Sequence, residues 1–180
     1  MVRHIRGTTV RQTPPVTVRP ATEADAPAIS AVYDHHVLHS TATFDLVPPT
    51  AGDRLQWLAE HAGGRHRVLV VERDGVVVGF ASSSPFRPRA AYETTVESSV
   101  YLAPDAVGRG LGRALYTELF ALLADEDVHR VLAVVAQPNP ASEALHRSFG
   151  FDRVGLFTEA GRKFGRFVDI AWFEKPLGGR

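Results

Sequence analysis

Cysteine is absent from the 180 residues, which excludes disulfides, thiolate metal sites and any cysteine nucleophile. A surplus of charge is missing too: 20 Lys and Arg balance 20 Asp and Glu, for a formal net charge of zero. Sequence-independent binding to duplex DNA or an anionic membrane draws on a basic excess, so neither nucleic acid nor membrane is expected as a partner. No apolar run approaches the ~20 residues that cross a bilayer. The stretch from Met1 to Val16 carries Arg3, Arg6 and Arg11 without the apolar centre of an export signal, and a cytoplasmic location is expected. What is present suits one soluble domain: 44% of the residues are hydrophobic, and a chain of this length buries roughly 70% of its unfolded surface.

Residues 1–15 are polar, lack an apolar period and end in Pro14-Pro15, which reads as a disordered tail before a domain over 16–177. Val16 to Arg19 alternates like a strand and leads through Thr22 into a helix ending near Ser40, with Ile29, Val32, Tyr33 and His36 at helical spacing. A second helix is expected over Thr50 to Ala62, with Leu55, Leu58 and Ala62 on its buried face and Gly63-Gly64 as its stop. Arg67 to Glu72 and Val76 to Ser84 are β-rich runs joined by Asp74-Gly75, a dipeptide that tolerates the positive φ of tight hairpin turns. Thr94 to Leu102 alternates, with Val96, Ser98, Val100 and Leu102 on one face and Thr95, Glu97, Ser99 and Tyr101 on the other. A long helix is expected from Val107 to Glu126, then a buried strand over Val131 to Ala136 and a helix over Pro140 to Phe149 capped by Asn139. Asp152 to Phe157 and Phe167 to Phe173 close the chain as strands. Strands interleaved with helices define an α/β (α+β) domain around one mixed sheet of about six to seven strands, flanked by about four helices.

The most informative stretch is Val100 to Arg113, a strand passing through Gly108, Gly110 and Gly112 into a helix. Bare backbone N–H groups at a helix N-terminus suit a phosphate or pyrophosphate, and Arg109 and Arg113 can add charge. The spacing G-x-G-x-G misses the dinucleotide fingerprint G-x-G-x-x-G, and no Lys follows as a Walker loop requires. A strand-to-helix turn without a ligand would use the same glycines.

Val107-Gly108-Arg109-Gly110-Leu111-Gly112 resembles the acetyl-CoA pyrophosphate loop of the GNAT superfamily of N-acetyltransferases, Arg/Gln-x-x-Gly-x-Gly/Ala. Its two glycines match, whereas Val107 replaces the leading Arg/Gln. Phe86 to Tyr92, Thr95 to Leu102 and Lys163 to Arg166 resemble the phosphinothricin and methionine-sulfoximine acetyltransferase branch, and the likeness runs from Val18 to Pro176. Phe164 stands where herbicide-resistance members carry His and sulfoximine or sulfone members carry Phe, which tilts the acceptor away from phosphinothricin. The resemblance implies a GNAT-like fold, acetyl-CoA as co-substrate, a small amino-acid-like amine acceptor, and a homodimer.

Acetylating an amine requires a free lone pair, so a base must take the ammonium proton. The resemblance assigns that role to Glu97; an ordinary strand carboxylate is the alternative. His146 lies where relatives carry the acid for the departing thiolate, and as an imidazolium it could serve; a half-buried helix histidine is the competing reading. Backbone groups of Val100, Tyr101 and Leu102 would hold the thioester and its oxyanion. Gly108, Arg109, Gly110, Leu111, Gly112 and Arg113 would hold the phosphates, and Asn139 with Ser142 the pantetheine arm. Arg87 and Arg89, with Tyr92, offer guanidinium forks to a substrate carboxylate or phosphinate, joined by Lys163 and Arg166. His35, His36 and His39 lack the accompanying pattern of a metal site, and no metal is expected. Two other functions fit the same residues: a non-catalytic acyl-CoA sensor, and acetylation of a protein N-terminus.

Overall fold

The structure is a computed structural model that describes residues 16–178. The tail expected over 1–15 lies outside the described residues. Eight strands form one mixed sheet: β1 (Val16–Pro20), β2 (Ala62–Gly63), β3 (His66–Arg73), β4 (Val76–Pro85), β5 (Thr95–Leu102), β6 (Arg130–Ala136), β7 (Asp152–Lys163) and β8 (Arg166–Pro176). Their order is β1-β3-β4-β5-β6-β8-β7, with the two-residue β2 added beside β3. Among the described residues only β5 and β6 pair in parallel. Four α-helices cover the faces: α1 (Ala26–His39), α2 (Ala51–Glu60), α3 (Leu111–Ala124) and α4 (Pro140–Ser148).

Asp74 (φ 55°) and Gly75 (φ 75°) form the expected turn between β3 and β4, and successive positive φ values match the twist of the flanking strands. The alternation in β5 divides the core. Val96, Val100 and Leu102 pack with Leu111, Leu115 and Leu119 of α3, while Tyr101 joins Ile29 of α1, Leu58 of α2 and Phe80 of β4 on the opposite face. At the start of the domain Arg19 bridges Asp25 at 2.8 Å and Glu72 at 2.5 Å. That pairing holds the Asp25 carboxyl down at about 2.

Three elements depart from expectation. Helix α2 is shorter than Thr50 to Ala62, starting after Thr50, whose hydroxyl accepts the Asp53 N–H, and it is rotated: Arg54 is 5% exposed and Leu55 43%. Helix α3 begins at Leu111 rather than Val107, because a 3-10 turn over Pro104–Ala106 and left-handed Gly108 and Gly110 occupy the intervening chain. The terminal hairpin is longer at both strands, β7 running on to Lys163 and β8 reaching Pro176.

Candidate active site

Parallel pairing between β5 and β6 covers only Thr95↔Arg130, Val96↔Val131 and Glu97↔Leu132. Beyond Glu97 the two strands part, while β5 stays bonded to β4 as far as Leu102 and β6 to β8 as far as Ala136. Each strand therefore turns backbone polar groups without a neighbouring strand toward the gap. Such groups need partners once water is excluded, so the gap suits an extended ligand bearing amides of its own.

A cleft of about 340 Å³ fills this gap, within the range of small-ligand sites. Ser98 to Leu102 form one wall and Val134 to Ala136 the other; Gly108, Gly110, Leu111, Gly112 and Arg113 close one end, and Asn139, Ser142 and His146 line α4's side. Gly108 and Gly110 both take positive φ, at 76° and 77°, which β-carbons resist. No side chain caps α3, so its first N–H groups face the cleft mouth with the positive end of the helix dipole. Gly112 packs closely against α4, since a β-carbon there would lie 3.2 Å from Leu145 Cδ2 and that side chain would have to give by a few tenths of an ångström. Asn139 caps α4 by accepting the Ser142 N–H at 3.1 Å, which leaves its amide NH₂ for the cleft.

Arg109 is not part of this wall. Its Nε donates to the Asp105 carbonyl at 2.9 Å and stiffens its own loop, whereas Arg113 does line the cleft.

Glu97 lies opposite Ser84 in the β4–β5 register, on the α1/α2 face with Ser99 and Tyr101. Burial pushes its carboxyl above the ordinary value, and the Arg87 charge opposes that shift. A partly desolvated carboxylate is a stronger base than an exposed one. Arg87 and Tyr92 flank the same aromatic, with the Arg87 guanidinium 5.0 Å and the Tyr92 ring 5.5 Å from Phe86. Arg89 is exposed and its carbonyl accepts the Tyr92 N–H.

His146 differs from the imidazolium expected of an acid. It is 3% exposed, its Nδ1–H donates to the Ser142 carbonyl at 2.7 Å, and Nε2 accepts from the Tyr116 hydroxyl at 3.1 Å. Burial lowers its pKa, so at neutral pH it is a neutral acceptor in the wall. Tyr116 holds its own proton firmly, because burial raises that phenol.

Lys163 also departs from expectation. It is 3% exposed, and its ammonium donates to the Thr43 carbonyl at 2.7 Å and the His36 carbonyl at 3.3 Å. It ties β7 to the end of α1 and the segment after it, whereas Arg166 is exposed at the β7–β8 turn. The His35 ring lies edge-on to His36 and tilted against His39, with ring centroids 5.5 and 5.0 Å away. Among the described residues no group of three or more His, Asp or Glu side chains is arranged for a metal ion.

Sequence reasoning missed Tyr116, Ser98 and the β6 wall. Tyr116 sits within the apolar face of α3, where an aromatic reads as core, and the parting of β5 from β6 leaves no mark on either strand's own pattern.

A model of the acetyltransferase (GNAT) family matches residues 31–151. A phosphinothricin N-acetyltransferase from Streptomyces coelicolor is 47% identical over 90% of this chain and 96% of its own. A methionine sulfoximine/sulfone acetyltransferase from Salmonella typhimurium is 36% identical over 90% and 95%. Among solved structures, a GNAT phosphinothricin acetyltransferase from Sinorhizobium meliloti in complex with acetyl-CoA superposes with a TM-score of 0.87 at 36% identity, covering 91% of this chain and 89% of that one.

Proposed function

The chain belongs to the GNAT acetyltransferase family, and from that membership we propose that it moves an acetyl group from acetyl-CoA directly to the α-amine of a small amino acid. Methionine sulfoximine, methionine sulfone and phosphinothricin represent the acceptor type, in keeping with the relatives named for them. The observation that carries the reading is the parting of β5 from β6 over a cleft that ends at an uncapped helix and two left-handed glycines. Those features fit the parts of acetyl-CoA separately: strand edges for the pantetheine amides, loop N–H groups and Arg113 for the phosphates.

Within this reading, acetyl-CoA supplies the activated acetyl group. N–H groups near Val100 to Leu102 orient the thioester carbonyl and favour negative charge developing on its oxygen. Glu97 accepts the proton of the incoming ammonium through water. From the neutral amine onward the reaction conserves protons: the nitrogen loses one as the amide forms and the sulfur gains one as it leaves. No strong acid is required of the wall, which agrees with a neutral His146. With no cysteine in the chain, a cysteinyl acetyl-enzyme is excluded, which is in keeping with direct transfer. Arg87 and Arg89, with Tyr92, receive the acceptor carboxylate.

We assign the reaction to the cytoplasm, where it would inactivate toxic amino-acid analogues. A homodimer is supported by exposed Val154, Leu156, Phe157, Phe164 and Phe167 on one hairpin. Thiol release from acetyl-CoA, followed with free amino acids and with peptides, tests the function. Release dependent on free amino acids is expected. Binding of CoA without release would make the domain a sensor, and release with peptides alone would make it a protein N-terminal acetyltransferase.

A further inference from the structure

A second cavity of about 290 Å³ lies on the α1/α2 face of the sheet and shares Ser99 and Tyr101 with the cofactor cleft. Four aromatic rings, from Tyr33, Trp57, Phe80 and Tyr101, line it together with the carboxylates Asp45 and Asp53, and the Ser82 and Ser84 positions of β4 lie along one side. Two of its lining residues neighbour Glu97 in the sheet: Ser84 lies opposite Glu97, and Ser99 follows it by two residues on the same face of β5. An acceptor whose amine meets Glu97 can therefore extend its side chain into this cavity.

Arg54 of α2 lines that cavity. It is 5% exposed, and its guanidinium lies 4.9 Å from the centroids of both Tyr33 and Trp57. These rings fix its plane without satisfying its donors. Nε and Nη2 are buried with no hydrogen-bond partner, and Arg54 belongs to none of the ion pairs among the described residues. The acids nearby are engaged or remote: Asp45 accepts from Tyr33 at 2.8 Å, and Asp53 accepts twice from Thr50. Asp34 lies beyond ion-pair distance, its Oδ1 also buried and unpartnered. A buried guanidinium with idle donors is costly in the empty protein. The cost is recovered when a ligand brings oxygen acceptors to the fork.

We propose that Arg54 is the specificity-determining residue of an acceptor side-chain subsite, taking a tetrahedral oxo group, such as a sulfone, sulfoximine or phosphinate, at the tip of the acceptor. This rests on the amino-acid acetyltransferase reading and narrows its substrate class. The aromatic walls accommodate the methylene stem, and the guanidinium meets the oxygens. A site built to hydrogen-bond a substrate group rejects analogues that lack it more strongly than an apolar slot rejects a change of size.

The test is the ratio of kcat/KM for methionine sulfone to that for methionine, which differ in the sulfonyl oxygens. In the unaltered enzyme the ratio is expected to exceed about 10, the effect of hydrogen bonds to a charged group. Arg54→Met should bring the ratio near one by lowering the sulfone value, with methionine changed less than about threefold, and Arg54→Lys should restore part of it. Thermal melting of Arg54→Met should be unchanged or raised, because an unpaired buried charge is replaced by an apolar side chain. Equal loss for both acceptors would overturn the assignment, as would a wild-type ratio below about three. Should Arg54→Met not fold, the wild-type and Arg54→Lys ratios decide the matter. An enzyme that acetylates no amino acid would defeat the function itself, whereas equal use of methionine and its sulfone would defeat only the Arg54 subsite.

Discussion

Acidification is expected to destabilise this protein well above the carboxylate range, because three histidines are held neutral by the same wiring. In each, one ring N–H donates to a backbone carbonyl: His146 to Ser142 at 2.7 Å, His61 to Trp57 at 2.7 Å and His36 to Leu102 at 2.9 Å. The other nitrogen of His146 and His61 accepts from a hydroxyl, of Tyr116 and Ser84 respectively, while His36 Nδ1 lies 3.2 Å from the Ser40 hydroxyl, whose proton the His36 carbonyl accepts. Burial is the largest cause lowering all three below 6.5. As pH falls through that value the unfolded chain takes up protons that the folded chain refuses, so stability falls with pH. Between about pH 7.5 and 5.5 the loss for any one of these histidines is at most about 1.4 kcal/mol, the limit for a group that never takes up the proton. Asp25 does not contribute in this window, since its stabilisation is lost only as pH drops below 3.8 toward about 2. Glu97 acts in the opposite sense, its raised carboxyl favouring the folded state as it protonates. Urea unfolding at about pH 7.5 and 5.5 measures the difference, and His146→Phe should reduce the loss, by at most about 1.4 kcal/mol. Stability that holds level or rises over this interval, or a His146→Phe protein with an undiminished loss, would refute the reasoning.

Glu97→Gln should lower kcat/KM by about 10²- to 10⁴-fold and abolish the acid limb of its pH profile. In the unaltered enzyme that limb should lie above the ordinary carboxyl value, activity being lost as pH falls through it; Arg87→Met, by removing the opposing charge, should move it higher. Gly110→Ala, at φ 77° with open space around the new methyl, should cost about 1–2 kcal/mol from backbone strain alone and raise the KM for acetyl-CoA, both measurable by denaturation and steady-state kinetics. Lys163→Met strips a charged donor from two carbonyls and should cost about 1–3 kcal/mol. Unchanged stability with a sharply raised acceptor KM would instead make Lys163 a substrate contact.

Local chemistry made much of this architecture legible. Asp74-Gly75 marked the β3–β4 hairpin because so few residues tolerate its backbone, and the alternation of β5 divided its side chains correctly between two cores. The glycine loop marked the cleft mouth, although Arg109 turned back onto Asp105. The β7–β8 hairpin was harder to read: its turn places Phe164 at φ 51°, a conformation bulky residues seldom signal, and much of β7 is exposed without a clear apolar alternation. Arg54 was hidden for a different reason. On an amphipathic helix an arginine beside a leucine reads as the wet face, and only the tertiary docking of α2 reverses Arg54 and Leu55. The neutrality of His146 and the burial of Lys163 likewise depend on partners distant in the chain.

In the proposed reaction the cleft between β5 and β6 holds acetyl-CoA while acetyl passes directly to an amino-acid α-nitrogen. Carbonyl-labelled acetyl-CoA, methionine sulfone and the protein, followed by NMR of the product, test it most directly. The label is expected in an amide at the α-nitrogen, one for every thiol released. Label appearing as free acetate, or remaining in acetyl-CoA with the acceptor unmodified, would contradict it.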